Sequence, residues 1–434
     1  MNILLISPVK NSENRELKKV LVAPLALFIL KGLTPSEHKV KIVWWEVEDL
    51  NFEEECDLVG ISCMTANASR AYEIAEEFRK RGKTVVMGGI HPTIMPEEAL
   101  QHADCVVIGE AEGVWVGLIN DFQRGELKKI YKDPSPDLTK YIPIDFNDMV
   151  KKGFSNFTPI WTTRGCPYNC DFCSVSNIYG RKIRHVPIAN VVQEIINSKA
   201  KNFIFLDDNI IGDSIYAKEL FRALIPLKIK WYGDASIFLV EDPGLLQLAK
   251  ESGCIALFVG LESISDYQLK ILPKQYNNTE QLEEALRKIK KAGILVYAGI
   301  VFGFDTDTKE IFAKTVKFLQ KNGICSAAFH ILTPYPGTKY FADMKKDDRL
   351  LTENWKFYDH VTAVFKPQNM TPYELQYGTV QANQQLYSYI SIAKRFFNNL
   401  SHPLVFLAVN FFYRKHLKKE KQRIQDLKYL NKIL

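Results

Sequence analysis

Three cysteines lie close together in Thr163-Arg164-Gly165-Cys166-Pro167-Tyr168-Asn169-Cys170-Asp171-Phe172-Cys173. Three thiolates on one loop can bind three corners of a cubic four-iron cluster and leave the fourth iron without a protein ligand. An open metal position is what a catalytic site needs, whereas a structural site is closed. Zinc is the competing reading, and it calls for a fourth Cys or His close by; this loop carries none. The other five cysteines, Cys56, Cys63, Cys105, Cys254 and Cys325, sit in apolar strand-like or helix-edge contexts. They are expected to be ordinary buried thiols. Leu4–Ile6 is a short apolar run with no basic segment before it, so it reads as a first strand rather than a signal peptide, and disulfides are not expected.

The elements that must position this loop alternate. Apolar runs occur at 2–6, 40–44, 58–62, 84–87 and 104–108, with helical patterns such as Leu17–Leu33 and Ala66–Lys80 between them. Short buried runs separated by amphipathic helices predict a parallel, doubly wound sheet. Such sheets bind ligands at the carboxyl ends of their strands. Ser7-Pro8, Ser62-Cys63-Met64-Thr65, Gly88-Gly89-Ile90-His91-Pro92 and Gly109-Glu110 fall there. Residues 126–155 read as a linker, with Pro134, Pro136 and Pro143.

From residue 156 to about 345 the alternation resumes. Strands are expected at 158–162, 202–206, 230–236, 255–260, 295–301 and 327–332. Six strands with helical crossovers predict an incomplete (β/α)6 barrel with helices outside and chemistry at the strand tops. Residues 346–434 read as helical. The whole is α/β, and its 434 residues, 47% of them hydrophobic, suffice for two or three domains.

The Cys-x3-Cys-x-aromatic-Cys spacing and the six-strand pattern after it resemble the radical S-adenosylmethionine superfamily. That resemblance implies a 4Fe–4S cluster on Cys166, Cys170 and Cys173. Its open iron would be chelated by S-adenosylmethionine, whose reductive cleavage yields a 5′-deoxyadenosyl radical. It also implies cofactor contacts near Asp208, in Asp207-Asp208-Asn209, although aspartate there is equally a good helix N-cap. Glu262, in Val259-Gly260-Leu261-Glu262-Ser263, would accept from the ribose hydroxyls. Gly299 and Gly303 resemble the family's glycine-bearing fifth strand, which lies against the adenine. Thr333, in Leu332-Thr333-Pro334-Tyr335-Pro336-Gly337-Thr338, resembles the segment that closes the sixth strand. Ser236 ends the third strand and reads equally as cofactor contact or plain strand serine. Phe172 is expected to pack over the cluster.

A doubly wound domain ahead of the radical domain resembles the cobalamin-binding class of this superfamily. Thr65, Gly88, Gly89, His91, Gly109 and Glu110 carry that likeness. The classical Asp-x-His-x-x-Gly cobalt-ligating loop is absent, so His91 has another role and a bound corrinoid would lack histidine below the cobalt. A degenerate scaffold without corrinoid remains open. The class implies methylation of an unactivated carbon; rearrangement, cyclisation or C–C coupling are the alternatives, and an iron–sulfur redox sensor is a further one. A methylthiotransferase would need Cys56, Cys63 and Cys105 to hold a second cluster and a C-terminal β-barrel, which the pattern does not provide.

The expected domains are 1–125, cobalamin-binding-like; 126–155, linker; 156–345, radical barrel; and 346–434, helical, resembling the small C-terminal domain of some cobalamin-class proteins and placed over the barrel mouth. Net charge is +6, and residues 414–434 alone carry eight Lys or Arg against two acids. The rest is near neutral, which speaks against nucleic acid. The apolar block 403–413 followed by this basic run suits peripheral contact with an anionic membrane, or a docked helix with a solvated tail. The expected partners are a small-molecule or lipid-like substrate and an electron donor such as flavodoxin or ferredoxin. The expected location is a well-reduced cytoplasm.

Overall fold

The computed structural model describes residues 1–9, 22–45, 48–133, 136–140, 144, 146, 157–271 and 278–430, with side chains of the last helix described through Leu417. Residues 17–21 of the expected first helix, Pro134, Pro143, most of 141–156 and the basic side chains beyond Leu417 lie outside the described residues.

The chain divides into two compact units. The first comprises 1–166, 174–206 and 354–356; the second comprises 167–173, 207–353 and 357–434.

The first unit is built on β1 (Asn2–Ser7), β2 (Lys39–Trp44), β3 (Leu58–Ser62), β4 (Thr84–Gly88), β5 (Cys105–Gly109) and β6 (Ile130–Asp133). All pairings are parallel, in the order β2-β1-β3-β4-β5-β6. The chain reverses direction across the sheet between β1 and β3, and that is where a doubly wound sheet opens a ligand crevice. The short Ile130–Asp133 strand pairs with β5, so the sheet continues into the span read as linker. The strands are near-continuous apolar runs because helices cover both faces. Helix Leu25–Leu33 buries Leu25, Leu27, Phe28 and Ile29, and helix Ala68–Lys80 buries Ala71, Ile74, Ala75 and Phe78.

The first unit also holds the parallel pair β7 (Thr158–Ile160) and β10 (Asn202–Phe205), and between them the antiparallel pair β8 (Thr163–Arg164) and β9 (Arg184–His185).

The second unit carries β11 (Lys230–Ala235), β12 (Cys254–Glu262), β13 (Leu295–Phe302) and β14 (Ser326–Ile331), parallel and in sequence order across the sheet. All six strands expected between 156 and 345 are thus present. Along β12, Ala256, Phe258, Gly260 and Glu262 are half-buried while their alternates are buried. Since successive strand residues face opposite ways, one face packs on helices and the other stays partly open. Sharp caps set the crossover helices. Asp213 accepts from the backbone of Ile215 and Tyr216, and Asn278 from that of Gln281.

The C-terminal segment is helical from Pro372 onward, in helices Pro372–Leu386, Tyr389–Phe396 and Pro403–Leu430. Thr371 and Glu374 form a capping box at its start. These helices pack along the β14 edge of the sheet. The first runs alongside β14: Leu375 lies where a side chain at Gly303 would project, and Tyr387 reaches the start of the strand. Before Pro372, the expected helix is replaced by turns, a single 3-10 turn at Trp355–Phe357 and a bridge, Leu350 to Phe365.

Candidate functional site

In the first unit the strand tops enclose a cavity of about 340 Å³. Ser7, Ser62, Cys63, Gly88, Gly89, Gly109 and Glu110 line it from the strand ends, and Leu25, Ile29 and Leu30 from the first helix. It therefore opens at the crevice that the strand order predicts. Gly89 makes it possible: its φ is +96°, and a Cβ there would stand 2.7 Å from the Cys63 carbonyl oxygen. Two residues that the sequence does not single out tie the rim together. Thr93 Oγ1 donates to the Gly89 carbonyl at 2.7 Å and accepts from the Gly109 N–H at 2.9 Å. Asn67 accepts from the Met64 N–H at 2.8 Å and donates to the Pro8 carbonyl at 3.0 Å. The first bridges β4 to β5, and the second β1 to β3.

Four of the six residues expected to meet a corrinoid, Gly88, Gly89, Gly109 and Glu110, line this cavity. Thr65 and His91 do not line it. They are buried behind the rim, with His91 Nδ1 3.3 Å from Thr65 Oγ1 and Nε2 3.6 Å from Glu98 Oε1. Trp355 Nε1 donates to the same Glu98 oxygen at 2.7 Å. Burial of Glu98 is outweighed by the nearby His91 and the bond from Trp355, and its carboxyl is held below the usual range. His91 thus packs in a buried cluster with Thr65, Glu98 and Trp355.

Glu110 has a second attachment. On the antiparallel β8–β9 pair, Arg164 stands opposite Arg184. Like charges in that position repel. Glu110 resolves this by accepting from both: Arg164 Nη1 on Oε2 and Arg184 Nη2 on Oε1, with Arg184 Nη1 also 3.2 Å from Oε2. Arg164 Nη2 reaches Glu112, and its guanidinium lies over the Trp161 ring at 4.7 Å. Burial works against the Arg164 charge, but Glu112 and Glu110 outweigh it and raise its pKa. One residue further on, Gly165 has φ +97° and packs so closely that a Cβ would lie 2.6 Å from the Lys182 carbonyl oxygen. Cys166 follows, its N–H pointing at the Gly180 carbonyl. Arg164 of the cavity wall therefore precedes the first cysteine of the motif by only two residues.

Cys170 and Cys173 belong to the second unit, where the Cys173 N–H donates to the Cys170 carbonyl at 3.0 Å. Phe172 meets Phe304 edge to face, with ring centroids 6.1 Å apart. All three motif thiols are half-buried, and the other five cysteines are buried. Burial pushes the Cys105 and Cys325 thiols up to about 12 and raises those of Cys56, Cys63 and Cys254 as well. A metal needs thiolate, so Cys56, Cys63 and Cys105 are poor candidates for a second cluster. Among the described residues no three His, Cys, Asp or Glu side chains are already gathered around one point. The fit of an iron cluster to the motif rests on donor type and exposure.

The remaining expected cofactor residues are in the second unit. Asp208 is open to water but walled in by protein; this enclosure, and then the neighbouring Asp207, raise its carboxyl to about 7. The next residue, Asn209, accepts from the Ser236 N–H at 2.9 Å and so ties the Asp208 turn to the end of β11. Ser236 Oγ caps the following turn through the Phe238 N–H. Glu262 ends β12 at a bulge after Gly260 and holds φ +61°. A non-glycine residue there stores roughly 1–3 kcal/mol of strain. A Cβ on Gly299 would meet the Phe258 ring at 2.7 Å, and the Gly303 N–H donates to Asp307 at 2.8 Å. Thr333 Oγ1 is taken by the Ile331 carbonyl, which leaves its backbone as the part available to a ligand.

From the sequence, His330, Tyr335 and Tyr297 read either as lining the barrel cavity or as strand core, and two of them form a cluster beside Glu262 with His360, which the sequence does not single out. His330 and His360 rings lie 5.1 Å apart, and the Tyr335 hydroxyl donates to the Tyr358 carbonyl and lies 3.0 Å from His360 Nε2. Burial lowers the His330 pKa, with Glu262 opposing. Tyr297, by contrast, belongs to the core, its hydroxyl bonded to that of Tyr413.

The B12 binding domain family matches residues 21–119, and the radical SAM superfamily matches residues 160–319. The bacteriochlorophyllide d C-8(2)-methyltransferase of Chlorobaculum tepidum is 33% identical over 416 residues, 91% of either chain. The C-12(1)-methyltransferase of the same organism is 34% identical over 78% of this chain and 76% of its own. Among solved structures, the radical S-adenosylmethionine methyltransferase TsrM from Kitasatospora setae, with cobalamin and a 4Fe–4S cluster bound, shares the fold. It aligns with a TM-score of 0.71 at 16% identity, over 95% of this chain and 99% of that one.

Proposed function

Because the chain belongs to the cobalamin-binding class of radical S-adenosylmethionine methyltransferases, we propose that it methylates an unactivated carbon of an apolar small molecule with a large ring framework. The framework is suggested by the bacteriochlorophyllide substrates in the names of its two relatives. The observation that carries the cobalamin-dependent form is the apolar cavity at the β1/β3 crevice of the first sheet. When bound, a 4Fe–4S cluster supplies the electron that cleaves S-adenosylmethionine to a radical, and cobalamin supplies a transferable methyl group.

The chain's own residues hold and orient these groups. Cys166, Cys170 and Cys173 ligate three irons and leave one coordination position open. Asp208 accepts from the methionine ammonium once ionised, with Ser236 beside it. Glu262, fixed in its left-handed conformation, accepts from the ribose hydroxyls. Gly299 and Gly303 keep the adenine wall thin, and the Thr333 backbone reads its edge. Gly88, Gly89, Gly109 and Glu110 form the corrinoid cradle; Thr65 and His91 brace it from behind. We assign 1–133, through the sixth strand, to the corrinoid domain, the residues from there to 155 to the linker, 156–345 to the radical domain and 346–434 to the helical domain. Reduction is assigned to a flavodoxin or ferredoxin.

The test is anaerobic reconstitution with iron, sulfide and hydroxocobalamin, followed by desalting and a visible spectrum. A retained corrinoid band beside the cluster absorption is expected, with 5′-deoxyadenosine and S-adenosylhomocysteine both formed on turnover. Cluster absorption without corrinoid would refute methyl transfer through cobalamin and favour rearrangement or coupling.

A further inference from the structure

The last two helices are apolar outward as well as inward: Ile392 and Phe406 are buried in the core beside a buried polar network. In helix Tyr389–Phe396 the inward face carries Arg395, with Asn399 just beyond, while the outward stripe is Ile390, Ala393 and Phe397, relieved by Lys394. In helix Pro403–Leu430 the inward face carries Phe406, Asn410 and Leu417, while Leu404, Ala408, Phe411 and Lys415 face out. Arg395 is fully buried, donating to the carbonyls of Ile324, Cys325 and Leu386 and to Asn410 Oδ1 at 2.8–2.9 Å. Burial lowers its pKa to about 10. Asn399 and Asn410 complete the network by donating to the Gly323 and Cys325 carbonyls.

The polar groups thus point inward, and large apolar side chains face water: Ile390 is 71% exposed, Phe397 75%, Leu404 80% and Phe411 49%. Single exposed apolar residues are ordinary, but a concentration of them marks a docking surface. What covers this one is indicated by charge. Lys394 and Lys415 lie on the same stripes, and the chain continues from Arg414 with eight Lys or Arg and two acids to residue 434. Apolar side chains flanked by such basic excess match an anionic lipid surface, where the apolar groups enter the acyl boundary and the cations meet headgroups. No described helix is long and apolar enough to cross a bilayer, so the contact is one of lying on the surface.

We propose that the outward stripes Ile390–Phe397 and Leu404–Phe411, with Lys394 and Lys415, form a docking face for an anionic membrane leaflet. This goes beyond the proposed chemistry, because a face for lipid needs neither corrinoid nor iron. Deleting 403–434 is a poor test, since Phe406 and Asn410 are buried and the deletion would also uncap the Cys325 carbonyl. Substitutions on the exposed stripe are clean.

The experiment is co-sedimentation of the full chain with vesicles of phosphatidylcholine, alone or mixed with phosphatidylglycerol, with light scattering of the free protein alongside. The wild type is expected to sediment with anionic vesicles. Leu404→Ser/Phe411→Ser is expected to weaken this at least about tenfold, given the transfer energy of two large side chains. Lys394→Glu/Lys415→Glu is expected to weaken the preference for anionic lipid, and an unchanged preference would remove these two residues from the face. Equal sedimentation of wild type and the apolar variant, or equal wild-type binding to neutral and anionic vesicles, would overturn the proposal. So would a dimer that Leu404→Ser/Phe411→Ser splits, which would assign the face to a second copy. Any of these failures leaves corrinoid retention and 5′-deoxyadenosine formation to be judged separately.

Discussion

Replacing Glu110 by glutamine should cost the first unit more than any neighbouring surface change, for a reason that can be calculated. Glu110 is 6% exposed and its carboxylate is the common acceptor for Arg164 and Arg184, which face each other across two strands. Glutamine keeps the size but removes the charge and one acceptor, so the buried Arg164 and half-buried Arg184 guanidinium groups are left opposed. Breaking a buried pair in this way costs about 3–5 kcal/mol. Arg164 keeps Glu112 and Arg184 keeps the Pro136 carbonyl, so the lower end, about 3 kcal/mol, applies. For a unit of this size that is a fall of roughly 6–12 °C in the transition midpoint that includes it. Anaerobic differential scanning calorimetry would measure it. The decisive arm is a double-mutant cycle. Arg184→Met removes the opposing charge, so Glu110→Gln in that background should cost at least about 1 kcal/mol less. A shift below about 2 °C for Glu110→Gln, or strict additivity with Arg184→Met, would refute the clamp.

Other outcomes follow from the same geometry. Cys170→Ala should lose cluster iron while keeping its melting midpoint, whereas Cys105→Ala should lose stability and keep its iron; iron and sulfide analysis beside calorimetry separates the two. Asp208 is neutral below about 7 and charged above it, so S-adenosylmethionine binding should tighten as pH rises from 6 to 8 and flatten in Asp208→Asn, as read by titration calorimetry. The same raised pKa means the folded chain holds this proton where the unfolded chain has released it. Its contribution is therefore fully present below the ordinary aspartate range and lost as pH rises toward 7. Glu262→Gly should relieve the left-handed strain and stabilise the second unit by about 1 kcal/mol while weakening S-adenosylmethionine at least about tenfold through two lost charged hydrogen bonds; unchanged affinity would remove Glu262 from the ribose.

What the sequence discloses is mostly local. The three thiols, the glycines at strand ends and the strand–helix alternation lie within short windows, and each appears where it was expected. Partnerships between distant residues do not show. Glu110 reads as a ligand-facing acid because its arginines lie more than fifty positions away. Thr93 and Asn67 resemble any loop Thr and Asn until the strand ends they bridge are brought together. Ile130–Asp133 reads as linker because a short edge strand with Lys132 and Asp133 lacks the apolar run of a central one. His91 sits in a glycine loop that faces the crevice, yet its ring turns the other way, and no spacing rule reveals side-chain direction. The last helices mislead most. Apolar periodicity cannot distinguish the buried side from the exposed side when both are apolar, and only the carbonyls met by Arg395 decide it.

A parallel sheet that stops at β14 leaves that strand's outer backbone groups unpaired, an open invitation for another chain to add a strand. Here the Tyr387 hydroxyl accepts from the Ala327 N–H and donates to the Ala327 carbonyl, while Arg395 and Asn410 occupy the Cys325 carbonyl. A phenol and two side chains behave as a surrogate strand. The C-terminal helices therefore protect solubility as well as shape. A chain cut before Tyr387 would lose these caps on the β14 backbone and would be prone to stick to its own copies during synthesis, whatever cofactors it had already acquired.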